Sequence, residues 1–176
     1  MDPAERLLLE ALDDVLRSHT VRAQIGPVIE RVAEKLARGR RASMAWEPIP
    51  LSVYDGGLPP VIRSSWVFIL RAGAVTGAER HPNSHQRMMS YQGTGDLQTG
   101  GDGHWQSNLL GSAGSARLEE RWVSVPPKVW HQAVVPSHDW VVVSFHTAPA
   151  DELIEERPDA VDASRTTRRQ YVSVVE

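Results

Sequence analysis

The sequence predicts a mainly β domain, a rolled jelly roll of two antiparallel sheets, entered through two helices. Three observations carry that expectation. From Trp46 onward the chain breaks into short runs rich in Val, Ile, Trp and Phe, interrupted by Gly and Pro at roughly eight- to twelve-residue intervals. About eight or nine such runs fall within about a hundred residues, enough to close a rolled sheet and remove exposed edges. The first forty residues instead carry apolar stripes at helical spacing.

The first helix is expected to start at Asp2 as N-cap with Pro3 at its first position, and to bury Leu8, Leu12, Val15 and Leu16. A second is expected from Pro27, with Val28, Ile29, Val32 and Leu36 on one face, ending at Arg38-Gly39-Arg40-Arg41. Two amphipathic helices ahead of a β domain cover an open sheet face or form a dimer contact. The candidate strands are 46–53, 62–71, 75–81, 85–92, 97–99, 106–110, 117–125, 132–135 and 140–147, with turn residues such as Asp55-Gly56-Gly57, Pro82-Asn83 and Pro126-Pro127 between them. Beyond Pro149 the chain turns polar: residues 151–156 suit one helical turn, 160–170 a loose tail, and 171–175 an edge strand. The chain thus divides into a helical arm (1–45), a barrel (46–149) and a C-terminal tail (150–176).

The totals narrow the function classes. A net charge of −3 offers nothing to draw nucleic acid or an anionic membrane. Cysteine is absent, which excludes disulfides, thiolate ligands and a Cys nucleophile. The acidic start MDPAERLLLE has no basic region or small-residue cleavage site, so a signal peptide is not expected. No apolar run approaches the roughly 18 residues of a membrane span. The expectation is a cytoplasmic protein acting on a small molecule.

The chemistry concentrates in two stretches. In Gly73 to Gly93, Glu79 and His81 are two apart and share one face of a strand. Pro82-Asn83-Ser84 turns the chain, so that His85 opens the partner strand. The second stretch is Pro126-Pro127-Lys128-Val129-Trp130-His131, a proline turn feeding a further strand. Three imidazoles and a carboxylate suit one divalent ion (Fe, Mn, Ni, Zn or Cu) with positions left for water or substrate. Arg87 and Tyr91 share the parity of His85 and are expected to orient substrate, an inward Arg selecting a carboxylate or phosphate.

The two stretches resemble the motifs of the cupin superfamily. The family's first motif runs Gly, five residues, His-x-His, three or four residues, Glu, about six residues and Gly. Gly73, Glu79, His81, His85 and Gly93 overlay it, with a carboxylate at the first His position and a His at the Glu position. The second motif, Pro-x-Gly-x-x-His, overlays Pro126 to His131, with Lys128 in place of the turn glycine. The resemblance implies a double-stranded β-helix over residues 46–149, a metal held by Glu79, His81, His85 and His131, and a homodimer. A narrower local likeness joins His81-Pro-Asn-Ser-His85 and Val143-Ser144-Phe145-His146 to thiol dioxygenases of the cysteine dioxygenase type, with Ala148 at the place of their tyrosine. It implies that His146 supports the ligand shell and that the metal is Fe(II). The leading expectation is therefore a mononuclear non-haem iron oxygenase acting on a small organic acid. Its alternatives are a metal-dependent isomerase or lyase acting on a sugar or keto acid, and a non-enzymatic ligand-binding cupin.

Overall fold

The computed structural model describes residues 1–101, 104–112, 116–162 and 165–170. The edge strand expected at 171–175 lies outside them. Helix α1 (Pro3–Arg17) starts as expected, with the Asp2 carboxylate accepting from Ala4 N at 2.9 Å. Helix α2 (His19–Arg38) begins eight residues earlier than Pro27, because Ser18 ends α1 and caps α2, its hydroxyl accepting from Val21 N at 3.2 Å. Pro27 is inside α2. The α2 C-terminus is closed from the sheet: the Arg71 guanidinium donates to the carbonyls of Leu36 at 2.7 Å and Ala42 at 3.0 Å.

The β domain is two antiparallel layers. One sheet has the order β1-β2-β9-β3-β7, built from Met44–Pro48, Ser64–Leu70, Trp140–His146, Gln86–Gln92 and Trp122–Val125 respectively. In the other, β4 (Thr94–Gly101) pairs with β5 (His104–Gln106) and β6 (Leu109–Gly111), and also with β8 (Trp130–Val134). Four expected strands change form, the run 106–110 being broken at 107–108 between β5 and β6. Residues 75–81 make only bridges, Val75 to Val134, Glu79 to His131 and Arg80 to Glu156. The run 117–125 opens with a helical turn, α3 (Leu118–Arg121), before β7. The run 46–53 gives β1 and then a 3-10 turn at Leu51–Tyr54.

The pleat sorts every strand of the five-stranded sheet between two cores. Trp66, Phe68, Leu70, Met88, Trp140 and Val142 meet Leu97, Leu110 and Ala133 of the second sheet in the space between layers. Val67, Ile69, Met89, Val141, Val143 and Phe145 pack on the opposite face against Leu9, Leu12, Leu16, Val21, Ile25, Val28 and Val32 of the helices. With both faces covered, β2 and β9 are buried at every residue, which is why they read as nearly unbroken apolar runs. The helical arm is thus a lid on the outer face of the sheet. Its charged anchors are also buried: Asp13 accepts from Arg121 Nη2 at 2.6 Å and from Trp122 Nε1 at 2.9 Å.

The tail is not loose. Residues 154–158 and 166–170 form a hairpin, β10 (Ile154–Pro158) with β11 (Thr166–Gln170), where a helical turn and a coil were expected. Backbone bonds between Arg80 and Glu156, 3.0 and 2.9 Å, join it to the segment that carries Glu79 and His81.

Candidate metal centre

Glu79 and His81 reach the space between the sheets from the extended segment ahead of the Pro82 turn, and His131 reaches it from β8. Paired backbone bonds set the register: Glu79 N donates to His131 O at 2.9 Å, and His131 N donates to Glu79 O at 2.8 Å. Lys128 N donates to His81 O at 3.0 Å and so ties the two motif stretches together. Lys128 holds φ at 68°, the left-handed conformation for which the resembled motif uses glycine. Gly73 and Gly93, the glycines bounding the first motif, have φ of 76° and 85°.

The three side chains converge. One ligand atom from each of Glu79, His81 and His131 lies within 4.8 Å of the others. His81 and His131 are 3% and 2% exposed. Each ring is oriented by a backbone carbonyl: His81 Nδ1 donates to Ile154 O at 2.9 Å, and His131 Nδ1 to Val129 O at 3.2 Å. A carbonyl only accepts, so Nδ1 carries the proton, and in the neutral ring Nε2 keeps its lone pair. Among the described residues His131 Nε2 makes no hydrogen bond, and it stands 3.6 Å from Glu79 Oε1. Burial holds the His81 imidazole down at about 4, with the neighbouring His131 adding to the effect. Burial pushes the Glu79 carboxyl up, but contact with His131 and the charges of His131, His81 and Arg157 overcome it and hold it at about 2. Near neutral pH the cluster thus offers a carboxylate and a neutral His81 imidazole beside His131. Carbonyl-anchored imidazoles with Nε2 turned inward, beside a charged carboxylate, suit a divalent first-row ion.

His146 stands behind this trio. It projects inward from β9, its ring 4.9 Å from that of His81 and nearly perpendicular to it. Its Nδ1 is 3.3 Å from Ser84 Oγ and its Nε2 3.5 Å from Ser144 Oγ. Burial pushes its imidazole well below the ordinary histidine range, and the nearby His81 and His131 deepen the effect.

Three expected site residues lie elsewhere. His85, Arg87 and Tyr91 share one parity on β3, and that parity faces the helical arm. His85 Nε2 donates to Ser124 Oγ at 2.7 Å, and Arg87 clasps the Glu5 carboxylate of α1 with two bonds of 2.8 Å. Tyr91 packs against the helix-side core. A one-residue difference in a pleated strand exchanges faces, so the inward residues are Gln86 and Met88. The expected four-ligand set therefore loses His85, which makes a structural bond instead, and Arg87 anchors the arm rather than a substrate.

Gln86 is the residue the sequence reading missed. It opposes His146 across the β3–β9 ladder and lines a cavity of about 30 Å³ with Thr76, Glu79, Met88, Leu97 and His131. Its Oε1 is buried and makes no hydrogen bond among the described residues. The signal was available: the resembled motif allows three or four residues after His81, and four, followed by six to Gly93, lands on Gln86.

Two motif stretches meeting on one buried cluster between antiparallel sheets decide the architecture. The fold is a mainly β jelly roll of two antiparallel layers, the class the sequence predicts. No protein-family model and no curated protein matches the chain. Solved structures similar to this chain include an 11S globulin from Wrightia tinctoria, at 13% identity and a TM-score of 0.49 over 66% of this chain and 27% of that one. The capsular polysaccharide assembling protein CapF from Staphylococcus aureus is 13% identical, with a TM-score of 0.46 over 60% and 28%. Lactobacillus farciminis oxalate decarboxylase is 11% identical, with a TM-score of 0.46 over 61% and 29%. The chain thus spans less than a third of the length of each. No helix among its described residues is long and apolar enough to cross a membrane.

Proposed function

We propose that this chain is a cupin and a mononuclear metal enzyme, and that with Fe(II) it acts as an oxygenase on a small organic acid. One observation carries the reading: two imidazoles and one carboxylate converge at a buried point, with ligand atoms within 4.8 Å of one another. Two histidines and a single carboxylate with open positions form the donor set of non-haem Fe(II) oxygenases, and a third histidine is not needed. When bound, the ion supplies the sites at which O2 and substrate are activated.

The chain's own residues do the rest. Glu79 supplies the negative charge, while His81 and His131 supply imidazole donors oriented by the carbonyls of Ile154 and Val129. Gln86 offers an unshared carboxamide oxygen to whatever enters the cavity, and Met88, Leu97, Phe68 and Leu70 keep bulk water away from it. At about 30 Å³ the cavity takes one or two water-sized groups, far below the several hundred of a drug-sized site. That is too small for a ring sugar and matches a diatomic ligand such as O2, so an acid would enter only as lining side chains move aside.

The test starts with metal content. Protein purified without chelators and reconstituted anaerobically is expected to hold one equivalent of Fe(II). His131→Ala is expected to lose it, and His85→Ala to keep it. Oxygen uptake is then followed with a panel of two- to four-carbon acids. Absence of stoichiometric metal refutes the reading. Turnover without O2 on Mn(II) or Zn(II) would replace the oxygenase with an isomerase or lyase.

A further inference from the structure

The C-terminal hairpin is bonded to the candidate ligands at atoms that a cation does not use. Ile154 O takes the proton of His81 Nδ1 at 2.9 Å, which leaves Nε2. Arg157 Nη2 donates to Glu79 Oε2, which leaves Oε1 facing His131. Arg157 Nη1 also donates to Thr76 O at 3.2 Å, so the guanidinium is braced from a second direction. Asn83, in the turn after His81, locks the hairpin's approach by donating to Glu152 O at 2.7 Å and accepting from Ile154 N at 3.1 Å.

A guanidinium beside a cation site would ordinarily repel the ion. Here Arg157 arrives with its own counter-charge: its Nε donates to Glu155 Oε1 at 2.6 Å, and Glu155 is 1% exposed. Glu155 Oε1 also accepts from Arg169 Nη2 at 2.7 Å, so Arg157 and Arg169 are balanced by Glu155 and Glu79 together, and the part left to Arg157 is to hold the Glu79 carboxylate in place. We propose that Arg157 is a positioning residue of the metal site, holding Glu79 as a one-oxygen ligand, and that the β10–β11 hairpin is the wall that orients the site. The proposal rests on the metal-binding reading above.

Cobalt(II) binding to the full chain tests it, read by titration calorimetry and by the visible absorption band that reports coordination. Arg157→Met is expected to weaken binding 10- to 100-fold, the range for loss of a partner behind a ligand. It should also change the intensity of the Co(II) band as the freed carboxylate turns. Arg157→Lys, a point charge that cannot span Glu79, Glu155 and Thr76 together, is expected to fall between Met and wild type. Far-UV circular dichroism of the metal-free variants checks the fold, and if the Met variant does not fold, the Lys variant decides alone. Wild-type affinity with an unchanged band overturns the proposal. Tighter binding also overturns it and makes Arg157 a competitor for Glu79. His131→Ala separates the two readings: if it too binds cobalt like wild type, the metal site itself is wrong, whereas if it alone loses cobalt, only the role of Arg157 fails.

Discussion

Acidification of the metal-free protein is expected to unfold it through its buried imidazoles, well before its carboxylates matter. His81 is 3% exposed and titrates at about 4, against about 6.5 for an imidazole in the unfolded chain. A base with a lowered folded value is bound by protons more readily in the unfolded state, so its contribution is complete above pH 6.5 and falls as pH drops toward 4. Worked through the linkage relation, His81 alone removes about 2 kcal/mol by pH 5 and about 3 kcal/mol by pH 4. His146, 2% exposed and lowered further, adds to the loss in the same direction. Partly buried His85 is lowered too, chiefly by burial with Arg87 adding. The carboxylates act elsewhere: Glu79, held at about 2, loses its contribution only as pH falls from about 4.5 toward 2. The window from pH 7.5 to 5 therefore belongs to the histidines. Urea unfolding in the presence of a chelator, at half-unit steps across that window, should show a fall of at least about 2 kcal/mol. His146→Leu should flatten the profile. A level profile between pH 7.5 and 5, or a slope unaltered in the variant, would refute the assignment of neutral buried imidazoles.

Two further perturbations probe the scaffold. Asp13→Ala leaves Arg121, 6% exposed, without its carboxylate and is expected to cost roughly 3–5 kcal/mol, read from the urea midpoint. A loss below about 1 kcal/mol would mean the helical arm is not held by this pair. Gly95→Ala places a Cβ 2.2 Å from the Trp140 ring. That ring is fully buried and pinned by its Nε1 bond to Ser90 Oγ at 2.8 Å, so it cannot yield. The expected cost is roughly 1–3 kcal/mol or more in thermal unfolding, and an unchanged melting temperature would show that the two layers part more easily than their packing implies.

Much of the fold was legible because its signals are local. Pro and Gly punctuate the strands, and the unbroken runs at 64–70 and 140–146 announce a sheet covered on both faces. Glu79, His81 and His131 were legible because a spacing of two keeps one face and because a proline turn precedes residue 131. Three features were not. The Ser18 junction was hidden by Pro27, which the longer helix α2 accommodates in its interior. The hairpin at 154–170 was hidden by its charge. Glu155 is buried, yet reads as a solvent residue until Arg157 and Arg169 are found paired to it at 2.6 and 2.7 Å. The face of β3 was the costliest error, because the turn at 82–84 fixes where the strand begins only to within one residue.

That single residue of phase explains how one strand serves two ends. On its odd positions β3 carries His85, Arg87, Met89 and Tyr91 to the helical arm, where Glu5 and the apolar stripe of α1 receive them. On its even positions it carries Gln86 and Met88 into the space between the sheets, beside Glu79 and His131. An arginine on the even positions would bring an unpaired positive charge against the cation's own pocket. On the odd positions the same charge is matched by Glu5 and docks a helix. The arginine that does reach the cluster, Arg157, comes from the C-terminal hairpin rather than from the two main sheets, and is paired there with Glu155. Charge pairing thus separates the two arginines: Arg87, bonded to Glu5 of the arm, fastens the fold, and Arg157, bonded to Glu79 and Glu155, frames the site.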